Sequence, residues 1–300
     1  MSFEVPTAFV QQYKANLTHL LQQKGSVLRD TVTVESQNAE FAFYDRIGST
    51  EANEVNTRHG DTPLNNTPHD RRRIGLRDFD WADLIDRPDR IRLLVDPTGP
   101  YTVNAMWALG RKMDDVIIQR ATGSAWTGKT GSVEVTFPTS TQQIAVNYVE
   151  SGGAANSNLT VGKLRRCLEI FQANEVGDDM EKIVVVTSNQ LHAMLIQTPI
   201  ISSDYNTVRA LAEGRVDTFM GFRFRRCERL AKSGNNRSVL VYTKDAITMA
   251  MGEDITVDVG PRRDKRNATQ IYVCATFDAT RMEEKKVVEI LCDESTFPTS

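Results

Sequence analysis

YTVNAMWALGRKMDDVIIQRAT, residues 101–122, lies between two breakers, Pro97-Thr98-Gly99-Pro100 before it and Gly123 after it. Val103, Met106, Gly110, Met113 and Ile117 recur at intervals of three and four, which predicts one apolar stripe along a helix. Pro100 suits a first helical turn, where its missing N–H is no loss, and Gly123 suits a left-handed C-terminal cap. About 22 residues at 1.5 Å each predict a rod of roughly 33 Å. Arg111 faces Asp114 and Asp115 at helical spacing, which contributes a few tenths of a kcal/mol at a solvated surface. The expectation is a half-buried structural rod.

The segment after it, Gly123-Ser124-Ala125-Trp126-Thr127-Gly128-Lys129-Thr130, matches G-x-x-x-x-G-K-[ST], the phosphate-cradling loop. That chemistry needs a strand leading in and a helix leading out, so that N–H groups converge on the phosphates. Here a helix leads in, and Ser132–Phe137 alternates like a strand. The run Ile183–Val186 passes into Thr187-Ser188, with no Asp to hold Mg²⁺. A Gly-rich helix-to-strand turn is the expected structure, and a nucleotide hydrolase using Gly123–Thr130 is the enzyme alternative.

With 300 residues the soft expectation is about two domains. Apolar content of 40% and charged content of 25% are ordinary for a soluble globular chain. A net charge of −3 argues against a dedicated nucleic-acid-binding domain, whose affinity rests on a basic excess. The N-terminus does not read as a signal peptide, and no apolar run approaches a membrane span. Cys167, Cys227, Cys274 and Cys292 are scattered, and His19, His59, His69 and His192 show no ligand spacing. Free thiols and no zinc site follow. His192, among Leu191, Met194 and Leu195, reads as a core-edge residue rather than a base. No catalytic residue, cofactor or metal is expected.

Along the chain, residues 6–24 predict an amphipathic helix through Phe9, Tyr13, Leu17 and Leu20 or Leu21, ended by Gly25. Thr31–Glu35 and Phe41–Tyr44 predict a strand pair. Gly48–Thr67 is polar and too long for an ordinary loop inside a core. HDRRRIGLRDFDWADLIDRPDR, residues 69–90, sets Arg71, Arg72, Arg73 and Arg77 against Asp78, Asp80, Asp83 and Asp86. An Arg cluster gripping phosphate and an Asp78/Asp80 pair doing acid–base or metal work are both open there. The favoured expectation is a charged, extended hairpin whose mixed signs suit other copies of the same surface.

Strands are expected at Val133–Phe137 and Gln143–Val149, then a linker, Ser151–Asn156. Thr160 caps a helix through Leu164, Leu168 and Phe171 that ends by Gly177, and Ile183–Val186 reads as a buried strand. Ser188 opens another helix. Gly221–Arg226 alternates Phe with Arg; such strands occur in RNA-binding sheets, but the fuller motif is missing. Val239–Thr243 pairs with Ile247–Met251, extended by Ile255–Val259, and Pro261–Arg266 is a basic turn. The end reads as a hairpin of Gln270–Phe277 with Lys286–Leu291 across the turn Asp278–Arg281.

Five stretches in this order carry a family resemblance: VQQYKANLTHLLQQKGSVLRDTV (10–32), FYDRIGS (43–49), TRHGDTPLNNTPHDRRR (57–73), DPTGPYTVNAMWALGRKMDDVIIQRATG (96–123) and FDATRMEEKKVVEILCDE (277–294). Together they resemble the major capsid proteins of tailed bacteriophages, of the Hong Kong 97 fold. The resemblance implies an α+β chain with an N-arm at 1–35 and an E-loop hairpin at 36–85. It further implies a peripheral domain at 86–159 with spine helix 101–122, an axial α/β domain at 160–268, and a closing hairpin at 269–300 returning to the peripheral domain. Inter-subunit contact is implied for Arg58, His59, Arg71, Arg72, Arg73, Arg77, Asp78, Asp80 and Asp83.

The implied function is a non-enzymatic shell protein that assembles as hexamers and pentamers around phage double-stranded DNA, which it encloses non-specifically. The implied setting is the virion capsid, assembled in the host bacterial cytoplasm, with no membrane. A scaffolding protein and a portal are expected partners, with a decoration protein as a further candidate; no long scaffold-like leader is read in the sequence, so the scaffold is expected to be separate. Some members crosslink a Lys of this loop to an Asn, but residues 48–70 contain no Lys, and that chemistry is not carried over. An encapsulin-like compartment is the runner-up. Lys129→Ala is expected to leave nucleotide turnover assays unchanged; a wild-type ATPase activity abolished by that substitution would reverse the reading of Gly123–Thr130.

Overall fold

The computed structural model describes residues 20–54, 56, 58, 60–62, 64–86, 98–150, 152–196 and 218–295. Its first strands are β1 (Thr33–Ser36), β2 (Phe41–Ile47), β3 (His69–Gly75) and β4 (Arg77–Ile85), followed by helix α1 (Thr98–Thr122). The hairpin of β5 (Ala125–Thr127) and β6 (Val133–Val135) leads to the one-turn helix α2 (Thr139–Gln142) and to β7 (Gln143–Ile144). Then come α3 (Val161–Ala173), β8 (Lys182–Val186), α4 (Ser188–Ile196), β9 (Thr218–Phe219) and β10 (Phe222–Arg226). The chain closes with β11 (Lys232–Ser233), β12 (Asn236–Thr243), β13 (Ile247–Arg262), β14 (Ala268–Arg281) and β15 (Val287–Asp293).

These strands form a long sheet in the order β1-β13-β14-β4, a second sheet β7-β15-β12-β8-β10-β9 with β11 beside β12, and a small sheet β2-β3-β5-β6. Helix α1 lies against β14 and β13. Its buried face runs through Ala105, Leu109, Met113, Val116, Ile117 and Ala121, opposite Val273, Ala275 and Phe277 of the long sheet. The expected stripe is therefore only half right. Met113 and Ile117 are buried, but Val103 and Met106 are 37% and 41% exposed. Alternating steps of three and four average 3.5 residues, so a stripe drawn that way drifts off the face of a 3.6-residue helix.

Gly110 is not a core position but a crossing point. A Cβ there would lie 2.6 Å from the backbone of Gly25, so the incoming chain passes directly over the helix. Residues 20–24 are not helical, and 6–19 of the expected first helix fall outside the described residues. The crossing segment is held by Asp114, which is completely buried. Its carboxylate accepts from Gln23 Nε2, Ser26 Oγ and the backbone N–H groups of Val27 and Leu28, the last two at 3.0 Å. Arg111 donates to Gln22 Oε1 and Gln23 O, and Asp115 pairs with Arg229, so neither follows the expected surface pairing.

Gly123 is not in the left-handed region. Its closeness to the helix still requires glycine, because a Cβ would sit 2.5 Å from Gln119 O. Arg281 Nη1 supplies the missing partner for the helix end, donating to Ala121 O and Gly123 O. A side chain from β14 thus does what a left-handed turn would otherwise do.

The second sheet is dry at its centre. Every residue of β8 is buried, as is Val239–Thr243 of β12. Thr160 caps α3 as expected, its hydroxyl accepting from Lys163 N. Lys163 itself is buried, and its ammonium donates to Val146 O, Ser157 O and Leu291 O, clipping the preceding loop and β15 to the helix.

Strand partners differ from expectation at three places. β1 runs parallel to β13, whereas β2 pairs with β3, so Thr31–Glu35 and Phe41–Tyr44 do not pair. β12 and β13 lie in different sheets. The terminal hairpin does not form: β14 pairs with β13 and β4, while β15 crosses to β12. The apolar run Val287-Val288-Ile290 needs burial on both faces, which the second sheet provides. Val133–Phe137 and Gln143–Val149 shorten to β6 and β7.

Asp114→Ala is expected to destabilise the unassembled chain by about 2–4 kcal/mol, because four donors lose a charged, buried acceptor. Urea unfolding checks this, and a midpoint equal to wild type would contradict the role given to Asp114.

Candidate interaction surface

The β2–β3 hairpin is joined to β5 at its stem and carries an exposed tip. Its strands pair from Phe41 opposite Gly75 to Ile47 opposite His69, and Gly48 N donates to Pro68 O at 2.9 Å. Beyond that closure no described residue up to Thr67 is in a strand. The tip is tied by side-chain amides instead: Asn53 Nδ2 donates to Asn65 Oδ1, and Asn65 Nδ2 to Glu51 O, both at 2.6 Å. Glu51, Glu54, Arg58 and Asp61 are exposed there, and Leu64 is 95% exposed. His59 lies outside the described residues.

Strand alternation separates the three consecutive arginines. Arg72 turns into the body, is 1% exposed, and pairs with Glu284 while its Nε donates to Met282 O. On the neighbouring strand Arg46 pairs with Asp70 and donates to Met282 O. Thr127 of β5 also donates to Asp70. Burial lowers the Arg72 pKa, with Glu284 acting the other way. For Asp70 burial acts to raise the pKa, but hydrogen bonds from Thr127 and Arg46 outweigh it and hold the carboxyl at about 2. Arg71 and Arg73 take the other face. Arg71 Nε lies 3.1 Å from Asp45 with its guanidinium over Phe43, and Arg73 stacks on Phe41 and Trp126 at 4.9 and 5.6 Å.

The aspartates belong to a different sheet. Asp78 and Asp80 are exposed on β4, the outer strand of the long sheet, and Asp78 accepts from Thr276 Oγ1 at 2.7 Å. Across that sheet Glu253 lies opposite Thr276 and Asp258 opposite Tyr272, both exposed. One solvent face therefore gathers four carboxylates from two segments about 170 residues apart, which no local motif reveals. Asp83 is half-buried on the opposite side of β4 and accepts from Leu84 N. Arg77 does not answer these carboxylates: its Nη2 donates to Asp278 at 3.0 Å. The structure thus divides the Arg and Asp run into a stem, an inner seam and an acidic face.

Gly123–Thr130 is no phosphate cradle. It ends α1, forms β5 and enters a turn with Gly128 at φ +91° and Gly131 at φ +65°, after which β6 follows. Among the described residues a helix precedes this segment and a strand, not a helix, follows it, and Lys129 is exposed. Among the described residues no three His, Cys, Asp or Glu side chains converge as a metal cluster, and no helix is long and apolar enough to cross a membrane. Cys167, Cys227 and Cys292 are buried free thiols, and burial pushes the last two up to about 11 and about 12. The geometry is that of a hairpin whose stem is tied to the body through Arg72 and Arg46 and whose tip is exposed.

A family model described as phage capsid protein matches residues 5–294. No curated protein matches. Among solved structures, the capsid of the cyanophage P-SCSP1u aligns with a TM-score of 0.75 at 15% identity, covering 97% of this chain and 95% of that one. The capsid of Ralstonia phage GP4 aligns with a TM-score of 0.75 at 12% identity, covering 100% and 99%. The capsid asymmetric unit of cyanophage Pam1 gives 0.73 at 11% identity, covering 98% and 99%.

The lowered Asp70 pKa fixes the sign of an acid effect. Its stabilising share is complete above the ordinary value of 3.8 and is lost as pH falls towards about 2. Asp70→Asn is expected to flatten the pH dependence of unfolding in that window, read by circular dichroism. A variant with the wild-type acid profile would contradict the stem as drawn.

Proposed function

This chain belongs to the phage capsid protein family, and we propose that it builds its shell by laying the β2–β3 arm across a neighbouring copy within hexamers and pentamers. It is a major capsid protein, a structural component of the bacteriophage virion shell. The observation that carries the proposal is the arm itself. Its stem is fixed by the buried Arg72 paired with Glu284, yet its tip presents Leu64 almost fully to solvent. A braced segment with an uncovered apolar residue gains by covering a second copy, and mixed charges set register more than affinity.

On this reading Arg58, Arg71, Arg73, Asp78, Asp80 and Asp83 are available to neighbours, His59 is proposed as a contact with them, and Arg72 and Arg77 hold the arm from within. The α1 helix with the long sheet serves as the peripheral domain. The sheet built on β8 and β12 serves as the axial domain around the capsomer centre. In this division β13, within the expected 160–268, goes with the long sheet, and β15 goes with the axial one. The shell encloses double-stranded DNA without gripping it, carries out no chemistry, and assembles in the bacterial cytoplasm with a scaffolding protein and a portal. A decoration protein is a further partner of the same reading.

Leu64→Asp is expected to leave unfolding of the unassembled chain within about 0.5 kcal/mol of wild type, as an exposed change should. The same variant is expected to reduce closed shells severely in negative-stain electron microscopy. Normal shell yield would refute the arm as the binding element.

A further inference from the structure

A cleft of about 230 Å³ opens at the seam between the arm's stem and the body. Its walls include Phe41 and Arg73 from the stem, Arg77 at the start of β4, Arg120 near the end of α1, Trp126 of β5 and Asp278 of β14. Three guanidinium groups therefore meet one carboxylate, a formal excess of two positive charges.

The single carboxylate is already committed. Asp278 accepts from Arg120 through both oxygens, at 3.1 and 2.6 Å, from Arg77 Nη2 at 3.0 Å, and from Ala279 N at 2.8 Å. Arg77 Nε is buried with no partner among the described residues. Arg73 lies over the Phe41 and Trp126 rings, 4.9 and 5.6 Å from their centroids, and among the described residues no carboxylate or carbonyl accepts from its guanidinium. Stacking fixes the plane of a guanidinium and leaves its N–H edge to bind in that plane. Planar, pre-positioned donors of this kind match an oxyanion, which they hold by charge-assisted hydrogen bonds. The volume far exceeds the roughly 30 Å³ share of one water.

We propose that this cleft is an oxyanion receptor, taking a phosphate-like ion or a carboxylate, with Arg73 as the recruiting group and Arg77 and Arg120 behind it. An occupant there touches the stem and the body together, so filling the site braces the arm against the end of α1. The oxyanion thus adds a contact between stem and body to the one that Arg72 and Glu284 already make.

The test is calorimetric titration of the unassembled full-length chain with inorganic phosphate, against chloride at equal ionic strength. Saturable binding of one phosphate per chain is expected, weakened about tenfold or more in Arg73→Gln and less in Arg73→Lys. Arg165→Gln, whose exposed pair with Glu150 lies elsewhere, is expected to bind as wild type. Absence of saturable binding, or equal binding by Arg73→Gln, overturns the proposal, whatever the state of the shells. Repeating the titration on assembled shells identifies the source of the oxyanion. Retained binding assigns the site to a free ion, and binding lost on assembly assigns it to a carboxylate of an adjoining copy.

Discussion

The structure turns on keeping one guanidinium charged where water does not reach. Arg281 is completely buried at the end of β14, stacked against Phe137 at 5.2 Å. Burial pulls its pKa down, and its charge is kept by what surrounds it. Two carbonyls at the C-terminal end of α1 accept from it, where the helix dipole favours a cation. Glu284 stands 3.6 Å from its Nε and also binds Arg72 of the arm. The end of the helix, the end of the long sheet and the stem of the arm therefore share one electrostatic junction. Removing any partner leaves a buried charge uncompensated, so the three elements keep a fixed mutual orientation. On the proposed function that fixed orientation matters, because an arm laid on another copy would have to leave its own body in one direction.

Much of the fold was legible because periodicity and punctuation were strong. The long helix, the Thr160-capped helix and the β8 strand all declared themselves through apolar spacing and their flanking residues. Pairing did not, since alternation shows which face of a strand is apolar but not which strand lies beside it. Val287-Val288-Ile290 reads equally well as the return limb of a hairpin or as the centre of another sheet. Only the buried partners on β12 decide between them.

Buried charge was the second blind spot. Asp114 and Arg72 look like solvated surface groups when only their neighbours in sequence are considered. Their function in the fold comes from residues 86 to 212 positions away. Lys163 hides in the same way, on a helix whose apolar spacing is otherwise regular. The acidic face of the long sheet is a related case, assembled across strands rather than along one. By contrast the helix-to-strand order around the phosphate-loop pattern was legible, because it is a local property. Identity of 11–15% to solved capsids, with TM-scores of 0.73–0.75, fits this picture. Core positions tolerate exchange of apolar residues so long as volume and patterning are kept.

The central claim is that the arm's uncovered tip is made to be covered by another copy. A cryo-electron microscopy reconstruction of particles assembled from this chain tests it most directly. The account predicts a closed shell in which residues 48–68 of each copy rest on the body of an adjacent one, with Leu64 buried between them. A shell in which that tip folds back over its own body, or stays in solvent, would contradict it.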